Sequence, residues 1–489
     1  MLSQAPWLAR TVSPVWLLPA EPLEPSPAAP GGPDFRALHR ERLRRLKTRE
    51  LQQFASRHPK SRALHERALA SMVGGVPMPW MARWPGGFPL YVKRAIGSRI
   101  VDVDDHVYVD LCLGDSGAMG GHGPPAVVRA VQAQAARGIT MMLPTEDGIW
   151  AAEELARRFG MDHWQFTLSA TDANRCALRV ARQITGRKLI LVFSYCYHGT
   201  VDEAFAVRDP SGVTHCRAGN VGPAVDPSQT TRAIEFNDVE QLEQALADQS
   251  VACVLAEPAM TNMGIVLPVA GYHSTLRSLT RRYGTLLVID ETHTFSAGPG
   301  GCTRLWNLEP DMLTIGKCIG GGIPSGAIGM SSEVVDRIGL QRDADYQDTG
   351  GVGGTLAGNA LSAAAMRATL AQVLTAEAFD RMISLANDLC CSIERLIGSR
   401  RLPWHVTQLG CRVEYSFQPR PAMNATAAHA GVDRELDSYL HLYLLNRGVL
   451  ITPFHNMVLI SPASTTADVA LHDRLFAAAI DELLAPEAS

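Results

Sequence analysis

The feature that most constrains the fold is a series of apolar runs that end in polar residues and alternate with helical patterns. This alternation is typical of a mostly parallel sheet covered by helices. In such sheets the ligand lies outside the carboxyl ends of the strands, so the residues that follow the strands converge on one crevice. The predicted strands are 164–168, 188–193, 251–256, 285–289 and 312–315. They end at or near Ser169, Tyr197, Glu257, Asp290 and Lys317.

Lys317 follows one of these apolar runs and precedes the glycines at 320–322. Desolvation lowers the pKa of an amine, and an uncharged amine can attack a carbonyl. The glycines remove side chains beside the lysine and leave room for a flat group. We therefore predict that Lys317 is a Schiff-base lysine.

Asp290 also follows an apolar run and precedes Lys317 by 27 residues, which is room for a crossover. A buried carboxylate costs several kcal/mol unless it is paired. A protonated pyridine nitrogen is a suitable partner, and the protonated ring withdraws electrons as a pyridoxal phosphate enzyme requires. For the residue alone, a metal ligand or a capping aspartate is the alternative.

A phosphate site is predicted where Ser169-Ala-Thr-Asp172 opens a helix directly after a strand. Free N–H groups and the helix dipole favour an anion there, although these residues are also ordinary N-caps. Tyr197 is suited to stack on a flat ring, or to pack in the core. The glycine-rich loop 348–359 contains Thr355, which is in a position either to contact a phosphate or to form part of a simple loop.

Composition excludes several classes of protein. The formal charge of −4 gives no basic field for nucleic acid. No apolar run approaches the roughly 18–20 residues that cross a bilayer, so no membrane partner is predicted. The ten cysteines are scattered without a C-x-x-C pair. This pattern argues against a disulfide framework or a structural zinc site and fits a reducing, cytoplasmic location; we predict no metal.

The length of 489 residues predicts two to three domains. Residues 1–34 are rich in Pro and Ala and are expected to be a disordered extension, with a transit peptide or a misplaced start codon as alternatives. The pattern over 35–57 predicts a basic helix, either a partner-binding helix or a solvated face packed on the body. We expect a helix and small-domain segment at 35–115, a large cofactor-binding domain at 116–365 and a small domain at 366–489.

Taken together, these stretches resemble the class III, fold-type I aminotransferases, with glutamate-1-semialdehyde aminomutase and the β-amino-acid transaminases nearest. The resemblance runs from about Gly74 to the C-terminus. The matching stretches are Asp102-Val-Asp-Asp-His-Val-Tyr-Val-Asp110, Ser169-Ala-Thr-Asp-Ala-Asn174, Phe193 with Tyr197-His198-Gly199, Ala256-Glu257-Pro258, Ile289-Asp290-Glu291, Gly316-Lys317, and Gly354-Thr355 before Gly358-Asn359.

The resemblance implies an α/β fold with a large, mostly parallel seven-stranded sheet and a small α/β domain built from both termini. It implies pyridoxal 5′-phosphate as cofactor and a homodimer in which Thr355 reaches the phosphate of the neighbouring subunit. Lys317 and Asp290 would be the catalytic residues. The residues expected to contact the cofactor are Ala170, Thr171, Tyr197, His198, Glu257, Asp290, Thr292, Lys317 and Thr355.

Two departures from the family pattern concern the cofactor pocket. The family usually has Gly-Thr-Glu where this chain has Ala170-Thr171-Asp172. It usually has an apolar residue two positions after the aspartate, under the ring, where this chain has Thr292 followed by His293. Thr292 would either alter the cofactor's electronics through its hydroxyl or only pack its methyl group against the ring.

Substrate recognition is expected near Trp80 and Arg83, which precede the predicted antiparallel meander at 88–113. Arg412 is a second candidate to bind a carboxylate, because a guanidinium grips a carboxylate through two hydrogen bonds. An ion pair between Arg412 and Glu414 at the surface is the alternative. Trp80 with Trp84 indicates an apolar or aromatic substrate group.

These residues predict a transaminase that moves an amino group from an amino acid or amine to a keto acid by a ping-pong mechanism. The small-molecule partners would be an amino donor, β-amino or aromatic in type, and a keto-acid acceptor. An aminomutase acting on an amino-aldehyde is the first alternative, and a degenerate homologue without turnover is the second.

Overall fold

The computed structural model describes residues 40–339 and 351–485. The predicted extension 1–34, the first residues of the predicted helix 35–57 and the start of the glycine loop 348–359 lie outside the described residues. The strands are β1 Val92–Ile96, β2 Arg99–Asp102, β3 Val107–Asp110, β4 His163–Thr167, β5 Leu189–Phe193, β6 Ala206–Arg208, β7 Thr214–Cys216, β8 Thr231–Ile234, β9 Val251–Ala256, β10 Leu286–Asp290, β11 Met312–Gly316, β12 Gly326–Met330, β13 His405–Leu409, β14 Arg412–Ser416, β15 Val449–Leu450 and β16 Met457–Leu459.

The α-helices cover Arg40–Arg57, Pro59–Ala68, Pro125–Ala135, Glu146–Phe159, Ala170–Thr185, Val239–Leu246, Tyr272–Arg282, Gly301–Leu305, Ser332–Gly339, Ala360–Gln372, Ala376–Arg400, Ala425–Ala430, Arg434–Leu445 and Thr466–Leu484.

A seven-stranded sheet in the order β4-β12-β11-β10-β9-β5-β8 forms the centre of the molecule. Strand β12 runs antiparallel to both of its neighbours, and the pairs from β11 to β8 are parallel. Every residue of β9, β10 and β11 is buried, as expected for parallel strands covered by helices on both faces. The predicted α/β fold with a mostly parallel seven-stranded sheet is confirmed.

Two strands of this sheet have no counterpart in the sequence prediction. Strand β12 contains Gly326 and Gly329, and glycine carries no β-strand signal. Strand β8 has four residues at the edge of the sheet. The helix that the sequence predicts to open at Ser169-Ala-Thr-Asp172 begins at Ala170, and the Ser169 hydroxyl caps it by accepting a hydrogen bond from the Asp172 N–H at 3.3 Å.

The two ends of the chain share smaller sheets. Strands β1, β2 and β3 form the predicted antiparallel meander, and β15 pairs with β3 in parallel. Strands β13, β14 and β16 form a separate antiparallel sheet. The N-terminal and C-terminal segments are therefore built into one unit, as the fold prediction states, whereas the exact domain limits remain a prediction.

The basic helix Arg40–Arg57 packs on the helix Arg434–Leu445. Arg40 forms an ion pair with Asp433, and Arg49 donates to Glu482 at 2.6 Å. These contacts occupy basic side chains on the helix and favour the packed-face interpretation over the partner-binding one.

A buried polar network joins the next helix to the meander. The Tyr108 hydroxyl lies 2.8 Å from both His58 Nε2 and Asp102 Oδ2, and His106 Nδ1 lies 3.1 Å from the same Asp102 oxygen. His58 Nδ1 lies 2.7 Å from the Phe54 carbonyl oxygen. The ligand-type atoms of His58, Asp102 and His106 lie within 4.8 Å of one another, a cluster that the sequence did not indicate.

Two further sequence expectations concern the cysteines and the membrane. All ten cysteines are free thiols. Across residues 40–339 and 351–485, no helix is long and apolar enough to cross a bilayer.

Candidate active site

Lys317 lies at the carboxyl end of β11, in a left-handed backbone conformation with φ of +52°. This conformation costs a non-glycine residue about 1 kcal/mol or more and is often found at functional sites. Its Nζ atom lies 2.8 Å from Asp115 Oδ2, 3.0 Å from the Asp115 carbonyl oxygen and 2.9 Å from His293 Nε2. Gly316 is required beside it, because a Cβ there would lie 2.8 Å from the backbone N of Ala170.

Asp290 ends the adjacent strand β10 and is buried. Its Oδ2 accepts hydrogen bonds from Asn174 at 2.8 Å and from His198 at 2.9 Å. Its Oδ1 accepts from the Thr292 N–H at 3.0 Å. Burial alone would raise the pKa of Asp290, but the hydrogen bond and charge of His198, with the bonds from Thr292 and Asn174, lower that pKa to about 2. Asp290 is therefore a stable carboxylate.

The N-terminus of the helix Ala170–Thr185 faces the same region. The Thr171 Oγ1 atom accepts a hydrogen bond from the Thr200 N–H at 3.2 Å. Gly199, with φ of +79°, packs so closely that a Cβ would lie 2.8 Å from the Thr171 Cα. The loop after β5 thus fixes the first turn of the helix, whose free N–H groups suit an anion.

These strand ends line one cavity of about 580 Å³. Its wall contains Trp80, Ser169, Ala170, Thr171, Tyr197, Gly199, Asp290, Thr292, His293, Lys317 and Ser325, among others. Trp80 lies with its ring centroid 5.2 Å from that of Tyr197 and 5.5 Å from that of Phe454. Burial raises the pKa of Tyr197 to about 12, so its phenol is neutral.

The cavity fits a phosphorylated pyridine. Two buried polar atoms of its lining residues, Thr292 Oγ1 and Ser325 Oγ, have no hydrogen-bond partner within the described part of the chain, and the same is true of Asp115 Oδ1 beside Lys317. The carboxylate of Asp290 would pair with a ring nitrogen, and Ala170 and Thr171 would hold a phosphate at the helix N-terminus. Lys317 is the amine available to an aldehyde.

Other predicted residues lie outside the cavity wall. His198 lies behind Asp290, and Glu257 is buried, with Thr261 donating to it. Burial raises the pKa of Glu257 to about 7, although the charge of His198 and the Thr261 hydrogen bond act in the opposite direction. Arg83 and Thr355 are exposed in this chain.

Arg412 is almost fully buried, with 1% of its surface exposed. Its Nη2 donates to Glu414 at 3.1 Å and to the Thr261 carbonyl at 2.8 Å, and its Nη1 lies 3.3 Å from His293 Nδ1. The ion pair with Glu414 therefore exists but is not at the surface. The carboxylate-binding role of Arg412 remains a prediction.

Asp115, His293 and Asn174 contact the key residues, but the sequence prediction gave them no role. Asp115 lies in Gly114-Asp-Ser116, which follows the end of β3 and takes positive φ values at each position. A polar residue that follows an apolar run is the signal that identified Asp290 and Lys317, and Asp115 follows the apolar run Leu111-Cys-Leu113 and a glycine. His293 directly follows Thr292 in the sequence, and no sequence pattern indicated a function for it.

Comparison with known proteins places the chain in a family. The profile of the aminotransferase class-III family matches residues 80–479. A glutamate-1-semialdehyde 2,1-aminomutase of Anaeromyxobacter sp. (strain Fw109-5) is 33% identical over 415 residues, which cover 84% of this chain and 95% of that protein.

Two solved structures are similar as well. A glutamate-1-semialdehyde aminomutase from Pseudomonas aeruginosa PAO1 is 49% identical, with a TM-score of 0.88 over 91% of this chain and 99% of that one. A lysine-to-alanine variant of this enzyme was solved in complex with PMP. A β-phenylalanine aminotransferase from Variovorax paradoxus is 25% identical, with a TM-score of 0.79 over 91% of this chain and 100% of that one. The chain thus belongs to the class-III aminotransferases, fold-type I enzymes that use pyridoxal 5′-phosphate.

Proposed function

We propose that the enzyme moves an amino group within one amino-aldehyde substrate, as its aminomutase relatives do. The observation that carries this proposal is that Lys317 and Asp290 face one cavity in a chain of which 84% aligns with a glutamate-1-semialdehyde aminomutase. The sequence prediction placed intermolecular transamination first. The similar proteins favour the aminomutase, so the order of the two reactions is reversed here.

Pyridoxal phosphate, when bound, withdraws electrons from the carbon that carries the amino group, so that a proton can leave that carbon. Asp290 would keep the ring nitrogen protonated, because its pKa of about 2 holds it as a carboxylate. The N–H of Ala170 and the hydroxyl of Thr171 would bind the phosphate. Tyr197 would contact the ring face.

Lys317 has two proposed tasks. Its Nζ atom would hold the cofactor between turnovers and, once released, would move a proton between the substrate carbon that carries the amino group and the C4′ carbon of the cofactor. Its side chain is about one-quarter exposed, at 26%, so the amine is accessible from the cavity. Asp115, 2.8 Å from Nζ, would hold the amine in place during the exchange.

The test compares one-substrate with two-substrate turnover. The purified enzyme with pyridoxal phosphate is incubated with glutamate-1-semialdehyde and no keto acid, and formation of the isomeric amino ketone is followed. The proposal predicts turnover without any external amino acceptor. An enzyme that is inactive alone, but converts amines when pyruvate or 2-oxoglutarate is added, would contradict it. If the protein shows no visible absorbance with pyridoxal phosphate and no labelling by borohydride, it is a degenerate homologue.

Transamination is the second candidate, and the chemistry of the cavity wall favours it. Trp80 and Tyr197 line the cavity, and Phe454 packs against Trp80. Among the described residues, no arginine lines the cavity, and the carboxylate of Asp115 lies at its amine. These features suit an apolar or aromatic amine better than an anionic substrate. A panel of β-amino acids, ω-amino acids and arylalkyl amines against both keto acids measures this activity.

A homodimer is part of the proposal. Large apolar side chains are exposed at Met142 (76%), Leu143 (73%) and Leu356 (51%), and the Ala360 N–H donates to the Ile139 carbonyl at 3.0 Å, which ties the two segments together. An exposed apolar group of this kind is typical of a protein interface. Thr355, adjacent to Leu356, would then contact the phosphate of the neighbouring subunit. Light scattering on the unmodified chain and on a Leu143→Glu variant tests this. The unmodified chain should be a dimer and the variant a monomer, and an unmodified chain that is monomeric would contradict the proposal.

A further inference from the structure

We propose that Asp115 forms a binding site for the ammonium group of the incoming substrate, with its backbone carbonyl and its carboxylate as the two acceptors. Lys317 Nζ occupies this site in the structure, and the substrate nitrogen would occupy it while Lys317 is bonded to the cofactor. The inference rests on the proposed role of Lys317 as the residue that holds the cofactor, and it applies to both candidate reactions. Asp115 would contribute to specificity, because this position accepts a primary ammonium group.

The two acceptors of Asp115 converge on one nitrogen. Lys317 Nζ lies 3.0 Å from the Asp115 carbonyl oxygen and 2.8 Å from its Oδ2 atom. The end of the lysine is itself a primary alkylamine, so the structure shows how this pair of acceptors holds a nitrogen of that kind. Both contacts require an N–H of the nitrogen, because a carbonyl oxygen and a carboxylate oxygen only accept hydrogen bonds. A substrate carboxylate in the same position would meet two acceptors and a charge of its own sign.

The backbone around Asp115 fixes both acceptors in place. Four consecutive residues, 113–116, have positive φ values between +48° and +71°. Three of the four are not glycine, and each such conformation costs about 1 kcal/mol or more. The turn is held by Asp110, whose Oδ1 accepts hydrogen bonds from the N–H groups of Cys112 and Leu113 at 2.9 and 3.0 Å. Backbone strain of this kind is stored at functional sites, and here it orients Asp115 before a ligand arrives.

Asp115 lies at the border of the cavity. Its side chain is 15% exposed, and its neighbours Gly114, Gly117 and Ala118 line the cavity wall. Its Oδ1 atom has no hydrogen-bond partner within the part of the chain that the structure describes. The carboxylate is therefore within reach of a group in the cavity, and one of its oxygens can still accept a hydrogen bond.

The carboxylate of Asp115 requires a cation beside it. Burial acts to raise the pKa of the Asp115 carboxyl, but the charge of Lys317, followed by those of His293 and His455, holds that pKa well below its usual range. Among the described residues that line the cavity, Lys317 is the only lysine or arginine. A lysine nitrogen bonded to an aldehyde carbon keeps at most one hydrogen, so it can no longer serve both acceptors. An ammonium group of the substrate would supply the hydrogens and the charge that Lys317 withdraws.

The exchange then becomes a change of places between two nitrogens. The bond between the aldehyde carbon and Nζ breaks, a bond to the substrate nitrogen forms, and the two hydrogens that the ammonium group gives up pass to Nζ. Lys317 returns to Asp115, in the position that the structure shows. Asp290, the other carboxylate at the cavity, already accepts hydrogen bonds from three residues, so it does not compete for the ammonium group.

The first experiment tests the site without cofactor and without turnover. Lys317→Ala removes the side-chain atoms from Cγ to Nζ, which n-propylammonium replaces atom for atom. Thermal unfolding of the full-length Lys317→Ala chain is measured against n-propylammonium chloride. We expect saturable stabilisation, since a ligand that binds only the folded state raises its stability. When Asp115→Asn is added to Lys317→Ala, binding should be about tenfold weaker or more, because charge-assisted hydrogen bonds are lost.

Two control ligands separate the N–H groups of n-propylammonium from its shape and its charge. 1-Propanol has the same length without the charge, and tetramethylammonium has the charge without an N–H group. Neither should stabilise Lys317→Ala in a saturable way. Asparagine tolerates the left-handed backbone conformation of Asp115, so Asp115→Asn should keep the fold, which circular dichroism checks.

The second experiment follows the exchange alone in the enzyme loaded with pyridoxal phosphate. Stopped-flow absorbance measures the rate at which the cofactor passes from Lys317 to methylamine, which is an ammonium ion at neutral pH. Methoxyamine is the matched reagent, because it has a similar size but is uncharged and needs no ammonium site. We expect Asp115→Asn to slow the exchange with methylamine by about tenfold or more and to change the exchange with methoxyamine by less than about twofold.

The proposal is overturned if n-propylammonium does not stabilise Lys317→Ala, or if 1-propanol does so equally. It is also overturned if Asp115→Asn leaves n-propylammonium binding or methylamine exchange unchanged. Equal slowing of both reagents in a folded Asp115→Asn chain has the same consequence, since it indicates general damage to the site. Neither experiment requires aminomutation or transamination, so a failure of the proposed function in the turnover test is distinguishable from a failure here.

Discussion

The Nδ1 atom of His198 lies 2.9 Å from Oδ2 of Asp290, beneath the cavity that contains Lys317. The histidine and Asn174 occupy one oxygen of the carboxylate, and the Thr292 N–H is bonded to the other. Asn174 is itself held by the Thr314 hydroxyl, 2.6 Å from its Oδ1. The carboxylate is therefore fixed in charge and direction by side chains from three different parts of the chain.

The first prediction concerns this carboxylate. Asp290→Asn should reduce turnover by about 100-fold or more, because an amide gives no charge to a protonated ring nitrogen. Asp311→Asn is the matched control, since Asp311 is buried and paired to Arg277 without lining the cavity. That variant should lose stability but keep its activity per folded molecule. Equal loss of turnover in both variants would contradict the role of Asp290.

The second prediction concerns Lys317. Lys317→Ala should abolish turnover, and borohydride should no longer fix pyridoxal phosphate to the chain, because the amine that bonds the aldehyde is gone. Lys60→Ala, at an exposed lysine, should retain both properties. Mass spectrometry after borohydride reduction shows whether pyridoxal phosphate is attached to the chain. If it is still attached in Lys317→Ala, another amine holds the cofactor.

The third prediction concerns Glu257 and pH. Burial raises its folded pKa from 4.5 to about 7, against the opposing effects of His198 and Thr261. The folded chain therefore binds this proton more tightly than the unfolded chain, and the resulting stability is fully present below about pH 4.5 and is lost as pH rises to about 7. The difference corresponds to about 3 kcal/mol.

Glu257→Gln removes this titration. Urea unfolding should give the variant a higher unfolding free energy than the unmodified chain near pH 8, with the advantage disappearing near pH 5. If the difference between the two proteins is the same at both pH values, Glu257 does not titrate in the folded chain as stated.

The fourth prediction concerns Thr292, whose buried hydroxyl has no hydrogen-bond partner within the described residues. In the cofactor-free chain, Thr292→Val should raise the unfolding free energy by about 1 kcal/mol, because the valine has a similar shape and leaves no polar group unpaired. With pyridoxal phosphate bound, the gain should shrink if the hydroxyl contacts the cofactor. Chemical denaturation with and without the cofactor measures both values, and a destabilised cofactor-free variant would argue for a partner of the hydroxyl.

The fifth prediction concerns the N-terminal network. Tyr108→Phe leaves His58 Nε2 and Asp102 Oδ2 without the hydroxyl that joins them at 2.8 Å, and should cost about 1–3 kcal/mol of unfolding free energy. Tyr91→Phe is the control, because the Tyr91 hydroxyl makes one bond to the Gly75 carbonyl in a half-buried position. Tyr91→Phe should lose less unfolding free energy than Tyr108→Phe. A larger loss in Tyr91→Phe would contradict the importance of the network.

The sequence by itself determined five of the seven strands of the sheet and four of the strand ends that form the cavity. Ser169, Tyr197, Asp290 and Lys317 were found because an apolar run followed by a polar residue is a local pattern, and parallel strands bring such ends to one edge. Strand β12, which lies between β4 and β11, was not predicted because its glycines give no strand signal.

Only the tertiary structure decided what surrounds the lysine. Asp115 precedes Lys317 by 202 positions, and Arg412 follows His293 by 119. These contacts depend on the order of strands in the sheets and on where the C-terminal strand β14 packs, which no local periodicity encodes. A hydrogen bond requires atoms placed within tenths of an ångström, so the partners of Lys317 are set only when the chain has folded.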